Sequence, residues 1–416
     1  MSSSSEESTR AAPGRPSRRW WWLVAALVLP PLVIRGLLLE VYAIQSDSMT
    51  PTFRAGDQLL ALQPLLDPRE VSRWDVVILD RSVDAGVSEG VDAVIKRVVG
   101  LSGELVRILD GDVYAKPVEL PGELRLVRKP DEVVMGLLVP VHAADGLVEP
   151  WVVLPAAARR DLRQGTRLDG TAEPVRVVYQ AAVEDGQLGR PGENAVGDTA
   201  LELLLGAVEP GPSAGPALLT LTVREGADLF QAQLPLGAAG PATLHHRNAV
   251  PDAPVDRVDT LPGLGEGTRV LIWNVDDGVR VFVDDRLVLS HDYAAGERRT
   301  PGSELHNDPR IELTGAALVL SQVVVARDLH FTAQGDYGTD PGLGLSPARV
   351  PPDGLFVLGD SSTESRDSRY FGPVPKSRLR GRPLALYRPW PRAAWLGPAG
   401  TVGTRSPGRR LDDARE

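Results

Sequence analysis

Short apolar or alternating runs dominate residues 41–116, and each run is bounded by glycine, aspartate or proline. The clearest runs are DQLLAL, WDVVIL, AVIKRVVG and ELVRIL. Runs of this length with such boundaries predict β-strands joined by turns. Asp110-Gly111 separates ELVRIL from DVYAK, and this dipeptide between two apolar runs predicts a β-hairpin.

The middle of the chain has a different pattern, with strand-like runs separated by glycine, proline and acidic residues. The runs RVLIWNV and VRVFVDDRLVL are joined through Asp276-Asp277-Gly278, which predicts another hairpin. Such runs recur roughly every 10 to 20 residues, and this spacing predicts a jelly-roll-like β-sandwich over about residues 150–330.

From residue 350 the first pattern returns, in GLFVLGD and RPLALYRP. We therefore expect a mainly β protein in which one domain is split by another. The split domain comprises residues 40–117 and 331–390, and the inserted β-rich domain comprises residues 118–330. The polar residues 391–416 are expected to form a C-terminal surface tail.

An apolar segment, WWWLVAALVLPPLVI, lies at residues 20–34, and Arg35 and GLLLEVY follow it. Extended to residue 39, the segment has the length of about 20 residues that spans a bilayer, provided that Arg35 snorkels to the interface. The tryptophans suit a membrane interface, and the arginines before the segment place the N-terminus in the cytoplasm.

This pattern predicts a disordered cytoplasmic tail at 1–19 and a transmembrane signal anchor at 20–39. The rest of the chain is then expected on the extracytoplasmic face of a single-pass protein of the cytoplasmic (inner) membrane. Two alternatives are a signal peptide cleaved near Val41-Tyr42-Ala43 and a buried helix, which Pro30-Pro31 disfavours.

Composition and charge exclude several classes of function. The chain has 45 lysines and arginines against 55 acidic residues, a net charge of −10, which argues against general nucleic-acid binding. It has no cysteine, so disulfides, thiolate zinc sites and cysteine nucleophiles are excluded. We attribute Asp276-Asp277 and Asp284-Asp285 to turn geometry and His245-His246 to the surface, and we expect neither a metal nor a cofactor.

Three polar segments carry the candidate chemistry: IQSDSMTPT at 44–52, KRVVG at 96–100 and LGDSSTESRDSRYFGPVP at 358–375. A hydroxyl nucleophile needs a base, and all six histidines lie in the predicted insertion, so a Ser-His-Asp triad has poor candidates. Lys96 is an alternative base, since lowering a lysine pKa from about 10.4 to about 8 costs on the order of 3 kcal/mol. By spacing alone, a solvated strand lysine and a turn-capping serine remain the ordinary alternatives.

Together and in this order, the three segments resemble the motif boxes of the type I signal peptidases, which are membrane-bound Ser/Lys endopeptidases. The likeness covers the anchor and about residues 40–117 and 330–390, in SDSMTPT, KRVVGLSGE with DGDVY, and GD followed by SRDSRYFGPVP. It implies a catalytic domain of coiled antiparallel sheets and an activity that removes signal peptides from exported preproteins, without a cofactor.

The resemblance assigns roles to individual residues. Ser48 matches the nucleophile and Lys96 the general base. The hydroxyl of Ser46 and the backbone N–H of Ser48 match the oxyanion hole, which stabilises charge on the scissile carbonyl. Ser365 matches the serine that orients the base.

Other matched residues support the site. Asp360, Asp367 and Arg369 match residues that brace it. Ile44 and Met49 match the substrate pocket, and Met49 also shapes the nucleophile loop.

Three positions depart from the family pattern. Gln45 replaces the common proline and Asp47 the usual glycine, and we expect the Asp47 carboxylate to point to solvent. Ser362 stands where the family often has arginine, which puts one bracing salt bridge in doubt.

The predicted insertion is larger than the accessory subdomain usual for this family. WNVDDGVRVFVDDRLVLSHDY resembles concanavalin- or laminin-G-type jelly rolls. Binding of a glycan or polymer is therefore one hypothesis for the insertion, and a structural or substrate-orienting role is the more ordinary alternative. The expected partners are signal peptides of preproteins and the lipid bilayer. The alternatives are a catalytically inactive, anchored binding protein acting through the sandwich and a soluble, self-cleaving Ser/Lys protease of the repressor type.

Overall fold

A computed structural model describes residues 39–62, 70–83, 93–212, 215–247, 253–293, 309–337, 346–401 and 406–413. The predicted cytoplasmic tail and residues 20–38 of the predicted anchor lie outside the described residues. Leu39 already belongs to the first strand. Within the described ranges, no helix has the length and apolar character needed to cross a bilayer.

The predicted mainly β fold is confirmed, and most described residues outside turns belong to strands. The strands before the first helix are β1 (Leu39–Ala43), β2 (Gln58–Leu62), β3 (Val76–Asp80), β4 (Ala93–Gly100), β5 (Glu104–Leu109), β6 (Asp112–Pro117) and β7 (Arg125–Leu126). The predicted hairpin at Asp110-Gly111 joins β5 to β6, and both turn residues have positive φ, at 51° and 96°. Aspartate and glycine tolerate this conformation, so the dipeptide forms the turn.

The longest series of strands follows helix α1 (Asp131–Leu137). Its members are β8 (Val139–Ala144), β9 (Trp151–Leu154), β10 (Arg159–Asp161), β11 (Thr166–Asp169), β12 (Val175–Tyr179), β13 (Thr199–Pro210), β14 (Leu218–Glu225), β15 (Asp228–Pro235), β16 (Gly240–His246), β17 (Asp256–Leu261), β18 (Arg269–Val275), β19 (Gly278–Val283), β20 (Arg286–Asp292), β21 (Arg310–Thr314) and β22 (Ala316–Arg327).

The remaining elements return to the first part of the molecule. They are β23 (Ala348–Arg349), β24 (Gly354–Leu358), α2 (Ser368–Phe371), β25 (Val374–Pro375), β26 (Leu379–Arg388), β27 (Ala394–Trp395) and α3 (Pro407–Asp413).

The first sheet joins strands from both ends of the chain, in the order β1-β2-β26-β3-β4-β24-β25 with β27 beside β26. Its neighbouring strands are antiparallel. A second sheet has four strands in the order β23-β5-β6-β7. In the chain, β5 follows β4 and β23 precedes β24, so the two sheets alternate along the sequence. In the first sheet β4 and β24 are neighbours, and hydrogen bonds join the loop after β1 to β4 and to the loop after β24.

Strands β8 to β22 form two further sheets, one in the order β10-β11-β22-β13-β18-β19-β20 with β8 beside β22, the other β17-β16-β15-β14-β21-β12-β9. Buried side chains of both sheets form one hydrophobic core, to which Leu203 and Ile272 contribute from one sheet and Leu221 and Ile311 from the other. A shared core between two sheets is the signature of a β-sandwich. The hairpin predicted at Asp276-Asp277 joins β18 to β19 within it.

Helix α1 lies between the sandwich and the split domain. Val133 and Leu137 pack into a core with side chains of β5 and β6. Val134 and Met135 instead pack with Trp273 on the outer face of the sandwich sheet. The helix therefore has an apolar contact on each side, and it connects the two parts of the molecule through packing.

The prediction of a surface tail from residue 391 is wrong for residues 399–401 and 406–408, which are buried. Ala399 is buried in the core beneath β5 and β6, and Thr401 has no exposed surface. Ser406 is 2% exposed, and its hydroxyl donates to the buried Glu202 at 2.6 Å. The polar composition misled the prediction because these few residues satisfy buried groups rather than face water.

Candidate active site

The loop between β1 and β2 carries Ser48. Its ends are closed by two backbone hydrogen bonds at 2.8 Å, from Ile44 N to Asp57 O and from Gly56 N to Ile44 O. Met49 and Phe53 have no exposed surface and fill the loop from inside. Ser48 retains 8% exposure, so a buried apolar floor holds a hydroxyl near the surface.

Strand β4 brings Lys96 to this loop. Nζ of Lys96 donates to Oγ of Ser48 at 3.0 Å, and Lys96 is only 4% exposed. The apolar neighbours in AVIKRVVG explain the burial, since β4 lies inside the sheet between β3 and β24. Two residues that are 48 positions apart in sequence are thus in hydrogen-bond contact.

Ser46 also reaches the Ser48 hydroxyl. Oγ of Ser46 donates to Oγ of Ser48 at 3.2 Å, and Ser46 is exposed. Asp47 is half-buried, and its Oδ1 accepts from Thr50 Oγ1 at 3.3 Å and from Ala55 N at 3.2 Å. Its carboxylate is thus held by hydrogen bonds of its own loop, and the expectation that it points to solvent stays a prediction.

Arg97 follows Lys96 and points to the other face of β4, where it forms a buried ion pair with Asp360. Nε and Nη2 of Arg97 each donate to one Asp360 oxygen at 2.7 Å, and neither side chain is exposed. Asp360 also accepts from Thr52 Oγ1 at 2.5 Å. The Asp360 carboxylate thus connects strand β4, which carries Lys96, to the Ser48 loop.

The loop after β24 touches Ser48 directly. Ser361 N donates to the Ser48 carbonyl at 3.1 Å. A side chain at Gly359 would collide with that carbonyl and with Ser365, so only glycine allows the two loops to approach this closely. Ser365 is 3% exposed, and its hydroxyl has no hydrogen-bond partner among the described residues. The structure therefore shows no hydrogen bond from Ser365 to Lys96, and the role of Ser365 in orienting the base stays a prediction.

Arg369 and Asp367 form a second buried ion pair in the same loop. Nε and Nη2 of Arg369 donate to the two Asp367 oxygens at 2.8 Å. Asp367 also caps α2 and accepts from Gly359 N at 3.0 Å. Arg369 Nη1 donates to Ser362 Oγ at 2.6 Å, so Ser362 joins this network although it departs from the family pattern.

The predicted pocket residues Ile44 and Met49 pack with Tyr42 and Phe53 in one apolar cluster. Ile44 is 7% exposed, whereas Met49 is fully buried. This placement assigns Met49 to the support of the loop rather than to an open pocket surface.

A group of buried carboxylates lies away from Ser48, where the split domain meets the sandwich. Ligand oxygens of Asp112, Asp198 and Asp276 lie within 4.8 Å of one another. Nζ of Lys129 lies 2.6 Å from Asp276 and 2.7 Å from Asp328. An internal ammonium thus supplies the positive charge that a metal ion would supply.

The pKa values of this group are shifted by burial and charge. Burial raises the pKa of the Asp276 carboxyl to about 7, and the nearby Lys129 acts in the opposite direction. Burial opposes the charge of Lys129, yet attraction to Asp276 and Asp328 raises its pKa.

A known protein family matches the chain on both sides of most strands of the sandwich. The profile described as "Signal peptidase, peptidase S26" matches residues 17–139 and 305–388. The interval between these two matches holds most strands of the sandwich.

Several curated proteins are similar over parts of the chain. Signal peptidase I of Bacillus licheniformis is 35% identical over 83 residues, which are 20% of this chain and 41% of that protein. Probable signal peptidase I-2 of Synechocystis sp. is 41% identical over 56 residues, 14% of this chain and 26% of that protein. The chain thus spans less than half the length of these two relatives. Mitochondrial ATP-independent inner membrane protease subunit 1a of Arabidopsis thaliana is 31% identical over 132 residues, 27% of this chain and 76% of that protein.

Solved structures match the chain weakly. The Emp47p carbohydrate recognition domain has a TM-score of 0.31 at 6% identity and covers 46% of this chain and 94% of its own. The laminarinase from Rhodothermus marinus has a TM-score of 0.32 at 12% identity and covers 46% and 98%. Likenesses at this level carry no conclusion about ligand or activity.

The signal peptidase profile thus matches both ends of the chain, and the chain covers three quarters of the Arabidopsis relative. By these matches the chain belongs to the signal peptidase family, peptidase S26, and carries a β-sandwich inserted within the family's sequence.

Proposed function

We propose that the protein is a membrane-bound serine endopeptidase that removes signal peptides from exported preproteins, with Ser48 as nucleophile and Lys96 as general base. The observation that carries this proposal is the 3.0 Å contact between Lys96 Nζ and Ser48 Oγ, made by two nearly buried side chains. Burial disfavours a charged amine, and a neutral amine at this distance can accept the hydroxyl proton.

The proposed reaction proceeds through an acyl-enzyme. Ser48 Oγ attacks the scissile carbonyl carbon while Lys96 Nζ takes the hydroxyl proton. The protonated amine then gives this proton to the leaving amine of the mature protein as the peptide bond breaks. A water molecule, deprotonated by the same amine, attacks the ester and releases the signal peptide, and the proton returns to Ser48.

The groups around Ser48 have proposed supporting roles. The Ser46 hydroxyl, 3.2 Å from Ser48 Oγ, and the Ser48 N–H would stabilise the oxyanion. Ser365, buried beside Gly359, would orient the amine. Asp360 and the Asp367–Arg369 pair hold the two loops in place, which preserves the reacting geometry.

Membrane attachment, through an anchor at residues 20–39 with the N-terminus in the cytoplasm, belongs to the same proposal. Trp390 and Trp395 are 77% and 76% exposed, and β27 with Trp395 pairs with β26 beside the strand that follows the Ser48 loop. Exposed tryptophans are typical of a membrane interface. We place the catalytic domain in 40–117 and 331–390 and the inserted domain in 118–330, on the extracytoplasmic face.

The test is cleavage of a preprotein with an Ala-x-Ala site by the full-length protein. Wild type should cut after the second alanine, and Ser48→Ala and Lys96→Ala should be inactive. Lys376→Ala is the matched control, because Lys376 is exposed, and it should retain wild-type rates. Cleavage by a folded Lys96→Ala variant at the wild-type rate would refute the role of Lys96.

A further inference from the structure

Two neighbouring clefts lie beside the Ser48 loop, and one hairpin of the inserted sandwich forms a wall of both. The larger cleft has a volume of about 310 Å³ and the smaller about 130 Å³. The residues that line both clefts are Thr50, Pro51, Gln187 and Arg190. The first two lie within three positions of Ser48, and the last two belong to the hairpin, which we call the 187–190 hairpin.

The 187–190 hairpin is tightly built. Gln187 and Arg190 exchange two backbone hydrogen bonds, at 2.9 and 2.8 Å, and Gly189 has a φ of +76° that the tight turn requires. Leu188 N donates to Pro140 O at 3.0 Å. A connection held at both its ends and its tip presents its side chains at fixed positions.

A buried arginine supports the hairpin from behind. Nε of Arg327 donates to Gly186 O at 3.0 Å and Nη2 to Asp185 O at 2.5 Å. Arg327 is 6% exposed, so it acts as an internal brace. The inserted domain thereby holds the hairpin in place.

The larger cleft has a cationic rim. Arg54 on the Ser48 loop and Arg190 on the hairpin both line it and are exposed, and neither forms an ion pair with another described residue. The carboxylate of Asp47 also lines this cleft, but it accepts hydrogen bonds from Thr50 and Ala55. Leu188 and Val139 add apolar surface. Two guanidinium groups without an acidic partner in the described part of the chain favour an acidic ligand.

We propose that the larger cleft binds an acidic segment of the substrate polypeptide next to its scissile bond, and that Arg190 determines this specificity. The inference rests on the proposed function, because the ligand is the same chain that Ser48 would cleave. Asp47, Thr50 and Pro51 of the Ser48 loop line this cleft, so a polypeptide that acylates Ser48 and extends past these residues would enter it. The inserted sandwich thus contributes to substrate choice in the split domain.

Binding and cleavage separate this inference from the proposed function. The probes are fluorescent peptides with an Ala-x-Ala site. Each peptide carries one glutamate, or in its matched partner one lysine, and the series places this residue at successive positions on both sides of the site. Their affinity is measured by anisotropy with full-length Ser48→Ala, alone and combined with Arg190→Glu or Arg286→Glu. Arg286 is exposed on β20 and lines neither cleft, so its reversal is the matched control. Wild type, Arg190→Glu and Arg286→Glu are assayed for cleavage of the same peptides.

At one or more positions, the glutamate peptide should bind Ser48→Ala about 3- to 10-fold more tightly than the lysine peptide. Arg190→Glu should reverse that order, and Arg286→Glu should preserve it. In cleavage, Arg190→Glu should raise KM for the glutamate peptide and leave kcat nearly unchanged. Equal binding of both peptides, or an unchanged preference in Arg190→Glu, would overturn the inference even if wild type cleaves them. If Arg190→Glu reverses the charge preference in binding but wild type cleaves none of the peptides, acidic binding in the cleft is supported and the proposed function is refuted.

Discussion

At the scale of single residues, Gly359 allows the loop after β24 to lie close against the Ser48 loop. The Ser48 carbonyl and the Ser365 side chain occupy the space that a Cβ at this position would need. Asp367 holds the Gly359 N–H at 3.0 Å, so the backbone has little freedom to retreat. The glycine therefore sets how near the loop after β24 comes to the nucleophile.

Gly359→Ala should displace Ser48 from Lys96. We expect kcat for preprotein cleavage to fall about 10- to 100-fold and the free energy of unfolding to fall by about 1–3 kcal/mol. Gly215→Ala is the control, because nothing lies within 4 Å of a Cβ built there. Cleavage rates and thermal denaturation test both effects, and full activity in Gly359→Ala would contradict the proposed contact.

Some contacts of single residues can be predicted from the sequence and others cannot. The burial of Lys96 follows from its apolar neighbours in β4, and the strand alternation places Arg97 on the opposite face. The partner of Arg97 could not be predicted, since Asp360 is 263 positions away and meets it only through the pairing of β4 with β24. Long-range pairing depends on tertiary packing, which local pattern does not encode.

At the scale of elements, the C-terminal helix α3 has a structural role that the polar composition of its segment does not reveal. The segment before and within α3 satisfies Glu202 on β13, through Ser406 Oγ at 2.6 Å and Gly408 N at 2.5 Å. Burial raises the pKa of Glu202, and these hydrogen bonds oppose the rise. A short polar segment thus stabilises a carboxylate inside the sandwich.

Ser406→Ala should destabilise the protein by about 1.5–3 kcal/mol near pH 8 and by less near pH 5. The pKa of Glu202 in the folded state lies above its ordinary value of 4.5, so the folded state binds this proton more tightly than the unfolded state. Stability from this group is therefore present at low pH and falls as pH rises above about 4.5. Loss of the hydroxyl steepens that fall.

Thermal unfolding of Ser406→Ala and of the exposed control Ser290→Ala, at both pH values, checks this prediction. An equal loss of stability at the two pH values would show that Glu202 does not depend on the hydroxyl.

At the scale of the whole molecule, Lys129 joins the split domain to the sandwich. It precedes α1, lies 4.9 Å from the Trp74 ring and pairs with Asp276 and Asp328 at the edge of the sandwich. The sequence predicts a split domain with a large β-rich insertion. Besides the apolar packing of α1, buried charges such as Lys129 join the insertion to the split domain. The local sequence pattern does not distinguish such buried charges from surface charges.

Lys129→Met should lower the free energy of unfolding by about 3–5 kcal/mol near pH 8, because it leaves buried carboxylates without a counter-charge. The pKa of Asp276 is already raised to about 7, and removal of the lysine raises it further. The folded state therefore prefers the protonated acid, and stability is lost as pH rises from the ordinary value of 3.8 through 7.

The variant should accordingly recover much of its thermal stability near pH 5. Lys376 is exposed, so the control variant Lys376→Met should melt like wild type at both pH values. A Lys129→Met protein with unchanged melting at pH 8 would show that the lysine does not hold the two parts together.

The most direct test of the Ser48–Lys96 assignment is to trap the nucleophile. A peptide ending in Ala-x-Ala, with a serine-reactive phosphonate in place of its terminal carboxyl, is incubated with the full-length protein, and the adduct is located by digestion and mass spectrometry. The account predicts one adduct, on Ser48, that is absent in Ser48→Ala and forms on the order of 100-fold more slowly in Lys96→Ala. An adduct on another serine, no adduct in wild type, or equal labelling of Lys96→Ala would contradict it.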